Sequence, residues 1–295
     1  MPHGLKKGTY ADMSDFILTS LFPQIRQWLE EDDLTRNFHY SKSLSRTQVR
    51  PMLKIKSPLL LAGSDFFVAT FAALGADPSH FEFIRKWDGK EFKSGEIIEF
   101  PEPIPFNIAI TAERLALNLL QHGSSIATWT KKHTDIASKK KIKLLDTRKT
   151  TPGLRSLEKY AVRIGGGFNH RLGQTDAWMI KDNHKSCLGG LRGALEFFIN
   201  QGAFYNNIIV EIHDLAELHE AQALGLKHMM LDNFSPELIV DALKLKKDGH
   251  TFEVSGGVNL GNLENYLIDG VDAISLGSLI YSAPRVDISL KFRML

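Results

Sequence analysis

Cysteine is almost absent. Cys187 is the only one among 295 residues, so no internal disulfide can form and a reducing compartment is the expected setting. An excess of one charge is also lacking. Thirty-six Lys and Arg stand against 34 Asp and Glu, a formal balance of +2, which argues against a nucleic-acid partner. No apolar run approaches the ~18 residues needed to span a bilayer. The two lysines of the N-terminal MPHGLKKGTYADMSDF have no apolar stretch behind them to form a secretory signal. The expectation is a cytoplasmic protein without a membrane or nucleic-acid partner. No HExxH spacing, no hydrolase-like Ser/His/acid spacing and no internal repeat is present. What remains is an ordinary globular composition, 43% hydrophobic and 24% charged, in a chain long enough to bury two domain cores.

In the first half, residues 14–32 read as a helix with Ser14 as N-cap and Pro23 as a break. Residues 47–61 read as extended, interrupted by Pro51 and Pro58. SDFFVATFAALG (64–75) reads as a buried helix capped by Ser64 and stopped by Gly75. HFEFIRKWDGKEFKSGEIIEF reads as strand, turn, strand, and PEPIPFN (101–107) as a linker or extended edge. A change of domain is expected near residues 108–125, where a long helix begins.

The second half has a different rhythm. Short apolar runs recur, each followed by a helical stretch: IKLLD (142–146), AWMIK (177–181), NIIVE (207–211), HMMLD (228–232), TFEVS (251–255) and AISLG (273–277). Alternation of strands and helices implies a parallel sheet, in an open doubly wound form or as most of a barrel. Asp146, Lys181, Glu211, Asp232 and Ser255 each end a run. Carboxyl ends of parallel strands are where such folds place their chemistry. An acid after a strand can simply cap the next helix, but five polar ends in a row, one of them a lysine, are not explained by caps.

Between the first two runs lies DTRKTTPGLRSLEKYAVRIGGGFNHRLGQTD. Arg148 and Lys149 directly follow a strand end. His170 and Arg171 follow the glycine run Gly165–Gly167, which suits a loop held close to a neighbour. Arg163, inside a helix-like stretch, reads as surface. With Lys181, these residues make a cationic pocket suited to carboxylates and phosphates. Glu211 and Asp232 are the acidic exceptions: two carboxylates in a phosphate site point to a divalent cation, magnesium above all, the other reading being that they only neutralise neighbouring lysines and arginines. SGGVN (255–259) and LGSL (276–279) can offer backbone N–H groups to a phosphate. KKKIK (139–143) reads as a solvated helix end, and Cys187 as packed rather than nucleophilic.

These segments resemble the quinolinate phosphoribosyltransferase family. The resemblance is carried by ERLALNLLQHGSSIAT (113–128), DTRKTTPGLRSLEKYAVRIGGGFNHRLGQTDAWMIKDNH (146–184), IIVEI (208–212), MMLDNFSPE (229–237) and EVSGGVNLGNLENYLIDGVDAISLGSL (253–279). It implies an α/β chain with an N-terminal α/β sandwich domain, residues 1–115 joined by 284–295 returning at the C-terminus. An open, incomplete α/β (TIM-like) barrel would follow over 116–283. It also implies at least a homodimer, with Arg114 contributed to the neighbouring subunit's site. Quinolinate would meet Arg148, His170, Arg171, Lys181 and that Arg114. Lys149, Glu211 and Asp232 would address the ribose, pyrophosphate and Mg2+ of phosphoribosyl pyrophosphate. Ser255, Gly256, Gly257, Gly277 and Ser278 would hold the 5-phosphate.

The chain departs from the family's usual residues at Ser125 (glycine), His213 (an acid) and Tyr281 (histidine). Two other readings remain open on the sequence. One is a same-fold paralogue of the kind found with molybdenum transport systems. The other is a Schiff-base barrel lyase using Lys181.

Overall fold

The computed structural model describes residues 9–32, 38–202, 205 and 207–295. Two compact units are present, Met1–Thr128 with Pro284–Leu295, and Trp129–Ala283.

The first unit is built on β1 (Gln48–Ile55). Its residues 49, 51, 53 and 55 are buried while their neighbours are not, the period of two expected of a half-buried strand. β2 (Leu59–Leu60) and β3 (Glu91–Phe92) form a separate antiparallel pair. β4 (Ile97–Glu99) and β5 (Ile104–Pro105) both pair antiparallel with one side of β1, and the C-terminal strand pairs with its other side over residues 49–55. Pro51 stands opposite Phe292 of the C-terminal strand, but its carbonyl accepts from the Phe100 N–H on the other side, so its missing N–H faces the interval between the stretches paired with β4 and β5 and costs the long ladder nothing. The helix Ser64–Ala72 is buried on nearly every side, and in the core the Phe100 ring meets Phe67 and Phe81 edge to face while Phe71 packs at a tilt against the same two rings.

Several expectations for this half need correction. The first helix runs Thr9–Leu29, so Ser14 lies inside it rather than capping it, and Pro23 does not break it. The buried stripe Leu18, Ile25, Leu29 continues on both sides of that proline and holds the helix together through packing. The residue before the buried helix, Gly63 in a left-handed conformation (φ 99°), is its N-cap, and Ser64 is the first helical residue. HFEFIRKW is not a strand: Asp77 accepts from the Ser79 N–H, Pro78 fixes the first turn, and the segment winds as Pro78–Phe81 and Glu82–Arg85. The long helix, Phe106–Ala137, starts just ahead of the expected region and continues through it, and the second unit begins at its residue Trp129.

The second unit contains all six apolar runs as strands: β6 (Lys143–Leu145), β7 (Trp178–Ile180), β8 (Ile208–Ile212), β9 (His228–Asp232), β10 (Thr251–Ser255) and β11 (Ala273–Ser275). Every pairing is parallel, in the order β6-β11-β10-β9-β8-β7. β6 and β7 do not pair, so the sheet is an open, incomplete α/β barrel. Phe168 partly lines the free edge of β6 through a single parallel bridge to Leu145. The last strand, β12 (Ile288–Met294), belongs to the first unit. No described helix is long and apolar enough to cross a membrane. Cys187, expected to be packed, is exposed at the end of the short helix Asp182–Cys187.

Candidate active site

Parallel pairing puts all six carboxyl ends on one side of the second unit. The register aligns Asp232, Ser255 and Ser275 across adjacent strands. There the chain encloses a cavity of about 410 Å³, lined by Thr147, Arg148, Lys149, His170, Arg171, Met179, Lys181, Glu211, Met230, Asp232, Ser255 and Ser275. Eight of the residues singled out in the sequence therefore meet in one place. Gly256, Gly257, Gly277 and Ser278 do not line the cavity, and Arg114 lies on the long helix in the first unit.

Asp146 ends its strand as expected but faces inward, not toward the cavity. It is fully buried and ion-paired with Lys159, itself almost buried. It also accepts from the Asn169 amide at 2.5 Å and the His170 N–H at 2.9 Å, while Lys159 donates to the His170 carbonyl at 3.2 Å. Burial pushes the Asp146 carboxyl up, and Lys159, Asn169 and the His170 N–H pull it back. The pair thus fixes the loop that carries His170 and Arg171. Gly167 at the start of that loop has no room for a side chain, since a Cβ would lie 2.7 Å from Val162 Cγ1.

Breaking the buried pair should be costly. Lys159→Met is expected to destabilise the protein by about 3–5 kcal/mol near neutral pH, the usual consequence of stranding a buried charge. A carboxyl whose folded pKa is raised gives stability that is present below its unfolded pKa of about 3.9 and is lost as pH rises through the folded value. The deficit should therefore shrink toward acid pH. Denaturant midpoints of both proteins across pH check this, and a midpoint unchanged at pH 7 would contradict it.

The cations are poorly neutralised by the protein itself. Four of them, Arg148, Lys149, Arg171 and Lys181, line the cavity against two carboxylates, Glu211 and Asp232. Arg148 Nε is buried and has no hydrogen-bond partner among the described residues. Burial, and next the nearby Arg148 guanidinium, push the Arg171 pKa down, against the pull of Asp176 and Glu211. Arg171 is steadied by the carbonyls of Ala177 (3.1 Å) and Gln174 (3.4 Å). Two guanidiniums held together in partial burial make a site for an anion. Lys181 is ion-paired with Glu211, and its backbone N–H donates to His184 Nδ1 at 3.0 Å.

Asp232 accepts from Asn233 at 2.8 Å and lies 3.9 Å from His213 Nδ1, whose Nε2 contacts Asp182. His213, one of the three departures, thus stands between two carboxylates. Among the described residues no three His, Cys, Asp or Glu side chains cluster as a full metal cage. Glu211 and Asp232 offer two hard oxygen donors in the same cavity, which suits a magnesium ion that takes its other ligands from phosphates and water.

The glycine turns lie just beyond the lining. Gly256 (φ 91°) touches the Asn233 loop so closely that a Cβ would fall 2.2 Å from Asn233 Oδ1. At Gly277 a Cβ would lie 2.7 Å from the Tyr281 ring and 3.1 Å from Lys149 Cδ. The Ser278 hydroxyl is buried without a partner among the described residues. Reading only strand ends missed Thr147, Met179, Met230 and Ser275, and also Glu253 deeper in the barrel. Strand periodicity could have found most of them. Met179, Met230 and Glu253 stand two residues before Lys181, Asp232 and Ser255, and Ser275 two before Gly277, so each shares the face of its strand-end residue.

Known proteins are similar to this chain over most of its length. The sequence model described as quinolinate phosphoribosyl transferase, C-terminal domain, matches residues 126–291. A probable nicotinate-nucleotide pyrophosphorylase (carboxylating) of Bacillus subtilis strain 168 is 40% identical over 235 residues, 80% of each chain. Its namesake in Methanocaldococcus jannaschii is 34% identical over 287 residues, covering 94% of this chain and 98% of the relative. The crystal structure of NadC from Streptococcus pyogenes superposes with a TM-score of 0.81 at 33% identity, over 94% of this chain and 99% of that one.

Proposed function

The chain belongs to the quinolinate phosphoribosyltransferase family, and from that premise we propose that it joins quinolinate to phosphoribosyl pyrophosphate, releasing nicotinate mononucleotide, pyrophosphate and carbon dioxide in the synthesis of NAD. It is a pentosyltransferase, and we assign it to the cytoplasm. The observation that carries the reading is the close pair of guanidiniums, Arg171 held by backbone carbonyls and buried Arg148 Nε left without a partner among the described residues. A planar diacid supplies the forked acceptors that such a pair needs. Lys181, His170 and an Arg114 lent by a second subunit of a homodimer complete the acid's surroundings.

Phosphoribosyl pyrophosphate meets Lys149, Glu211 and Asp232, with the turns at Ser255–Gly257 and Gly277–Ser278 cradling its 5-phosphate through backbone N–H groups. Magnesium held by Glu211 and Asp232 would neutralise charge on the pyrophosphate as it departs. The quinolinate nitrogen already carries a lone pair, so no general base is needed. That pair forms the bond to the ribose carbon as the bond to pyrophosphate breaks. Lys149, which lines the cavity, would hold the departing charge, and a cation fixed in place lowers the reorganisation required. The bond from the ring to the 2-carboxylate then breaks. Its electron pair stays on the carbon beside the cationic nitrogen until a proton takes the place of the lost carbon dioxide. Lys181 is engaged by the Glu211 carboxylate, whereas a Schiff-base lyase needs a lysine amine free to attack a carbonyl.

The acidic pair gives a first test. Glu211→Ala and Asp232→Ala are each expected to lower turnover about 100-fold. The parent enzyme should stop in chelator and resume with magnesium. Formation of nicotinate mononucleotide from quinolinate is the assay, and undiminished turnover in chelator or in either variant would remove the metal from the account.

A further inference from the structure

Glu253 is a charge in an expensive place. It sits in the middle of β10, level with Met230 and Ala273 on the neighbouring strands, with its side chain only 13% exposed. No lysine or arginine pairs with it among the described residues. Its Oε1 accepts from the Ser275 hydroxyl, and its Oε2 lies 3.3 Å from His170 Nε2. A part-buried carboxylate without a full cationic partner is retained at a cost in stability, which makes its contacts worth following.

The His170 ring shows what the carboxylate faces. Its Nδ1 accepts the Arg171 backbone N–H at 2.7 Å. A nitrogen that accepts carries no proton, so the ring proton is on Nε2. That Nε2 is buried and turned toward Glu253, within ion-pair range but off the line of a formed hydrogen bond. Both ring nitrogens are therefore directed into the protein, and neither offers an N–H to the cavity. The Asp146–Lys159 pair already pins the main chain of His170, so the imidazole is the remaining freedom of this loop.

We propose that Glu253 is a positioning residue that acts through His170: it holds the imidazole as the Nε2–H tautomer, so that Nδ1 anchors the Arg171 backbone and aims the Arg171 guanidinium at the acid substrate. The identity of that acid rests on the quinolinate reading, but the tautomer does not. Glutamine can replace the carboxylate here, because its carbonyl accepts from His170 while its NH2 donates to Ser275. Methionine fills the space and can do neither. Aspartate keeps the charge but is one methylene too short to reach both partners.

The test has two arms on the full-length protein. Two-bond 1H–15N spectra of 15N-histidine protein, with His170 assigned by its loss in His170→Gln, read the tautomer without any substrate. Steady-state kinetics with quinolinate read its consequence. The Nε2–H tautomer is expected in the parent and in Glu253→Gln, and a mixed or Nδ1–H population in Glu253→Met. KM for quinolinate should rise about tenfold in Glu253→Met with a smaller change in kcat, and should return close to the parent value in Glu253→Gln. Glu253→Asp should show the same changes to a lesser degree, and it serves if the methionine variant does not fold. A parent His170 that is Nδ1–H or doubly protonated, or a folded Met or Asp variant with unaltered tautomer and KM, overturns the proposal. If the enzyme ignores quinolinate while the spectra behave as expected, the substrate reading fails and the role of Glu253 stands.

Discussion

Homodimers carrying Arg114→Ala or Lys181→Ala are each expected to retain about one thousandth of the parent activity, and mixing the two variants should restore about a quarter of it. The size of each loss follows from removing one partner of a desolvated ionic contact, which costs 2–5 kcal/mol or more and so reaches ~1,000-fold. For Lys181 there is a second effect. Its side chain is ion-paired with Glu211, so its removal also takes away that carboxylate's cationic partner. The recovery follows from symmetry. If each site takes Lys181 from its own chain and Arg114 from its partner, a mixed dimer gathers both lesions into one site and leaves the other intact. Random exchange makes about half the dimers mixed, and half of their sites intact. Activity after verified subunit exchange is the measurement, and no recovery would mean that Arg114 serves its own chain.

The second unit was far more legible in the sequence than the first. Its strands are buried in a parallel sheet, so they read as continuous apolar runs with a polar residue at each end, and those ends converge because parallel pairing leaves no other arrangement. The first unit offers weaker signals. HFEFIRKW alternates like a strand, yet a capping aspartate and a proline wind it into a helix, a case where turn chemistry overrode periodicity. Pro23 looked like a break because the sequence does not show the apolar stripe being packed on both sides of it.

Within the site, Asp146 and Glu253 were misread or missed for one reason. A carboxylate at or near a strand end has the same local sequence whether it faces a ligand, a buried lysine or a histidine. Only the fold shows Lys159 behind the first and His170 beside the second. Arg114 is different again. Its proposed role depends on a second chain, and no pattern within one chain reports that.

Choice of acid bears most directly on what the protein does. Nicotinate has one carboxylate and quinolinate two. Arg148 and Arg171 supply more positive charge than a single carboxylate can use, and an unpaired guanidinium N–H in a part-buried cavity is a penalty. Each charge-assisted hydrogen bond contributes about 1.5–3 kcal/mol, and ~1.4 kcal/mol is a factor of ten. A two-pronged contact to the second carboxylate should therefore favour quinolinate by at least ~100-fold. That carboxylate is also the group lost as gas, so product and carbon dioxide are tied together. The decisive measurement supplies phosphoribosyl pyrophosphate, magnesium and one acid at a time, and follows mononucleotide together with released carbon dioxide. The account predicts at least ~100-fold preference for quinolinate in kcat/KM, with one carbon dioxide for each mononucleotide formed. Equal or better use of nicotinate, or mononucleotide from quinolinate without matching carbon dioxide, would contradict it.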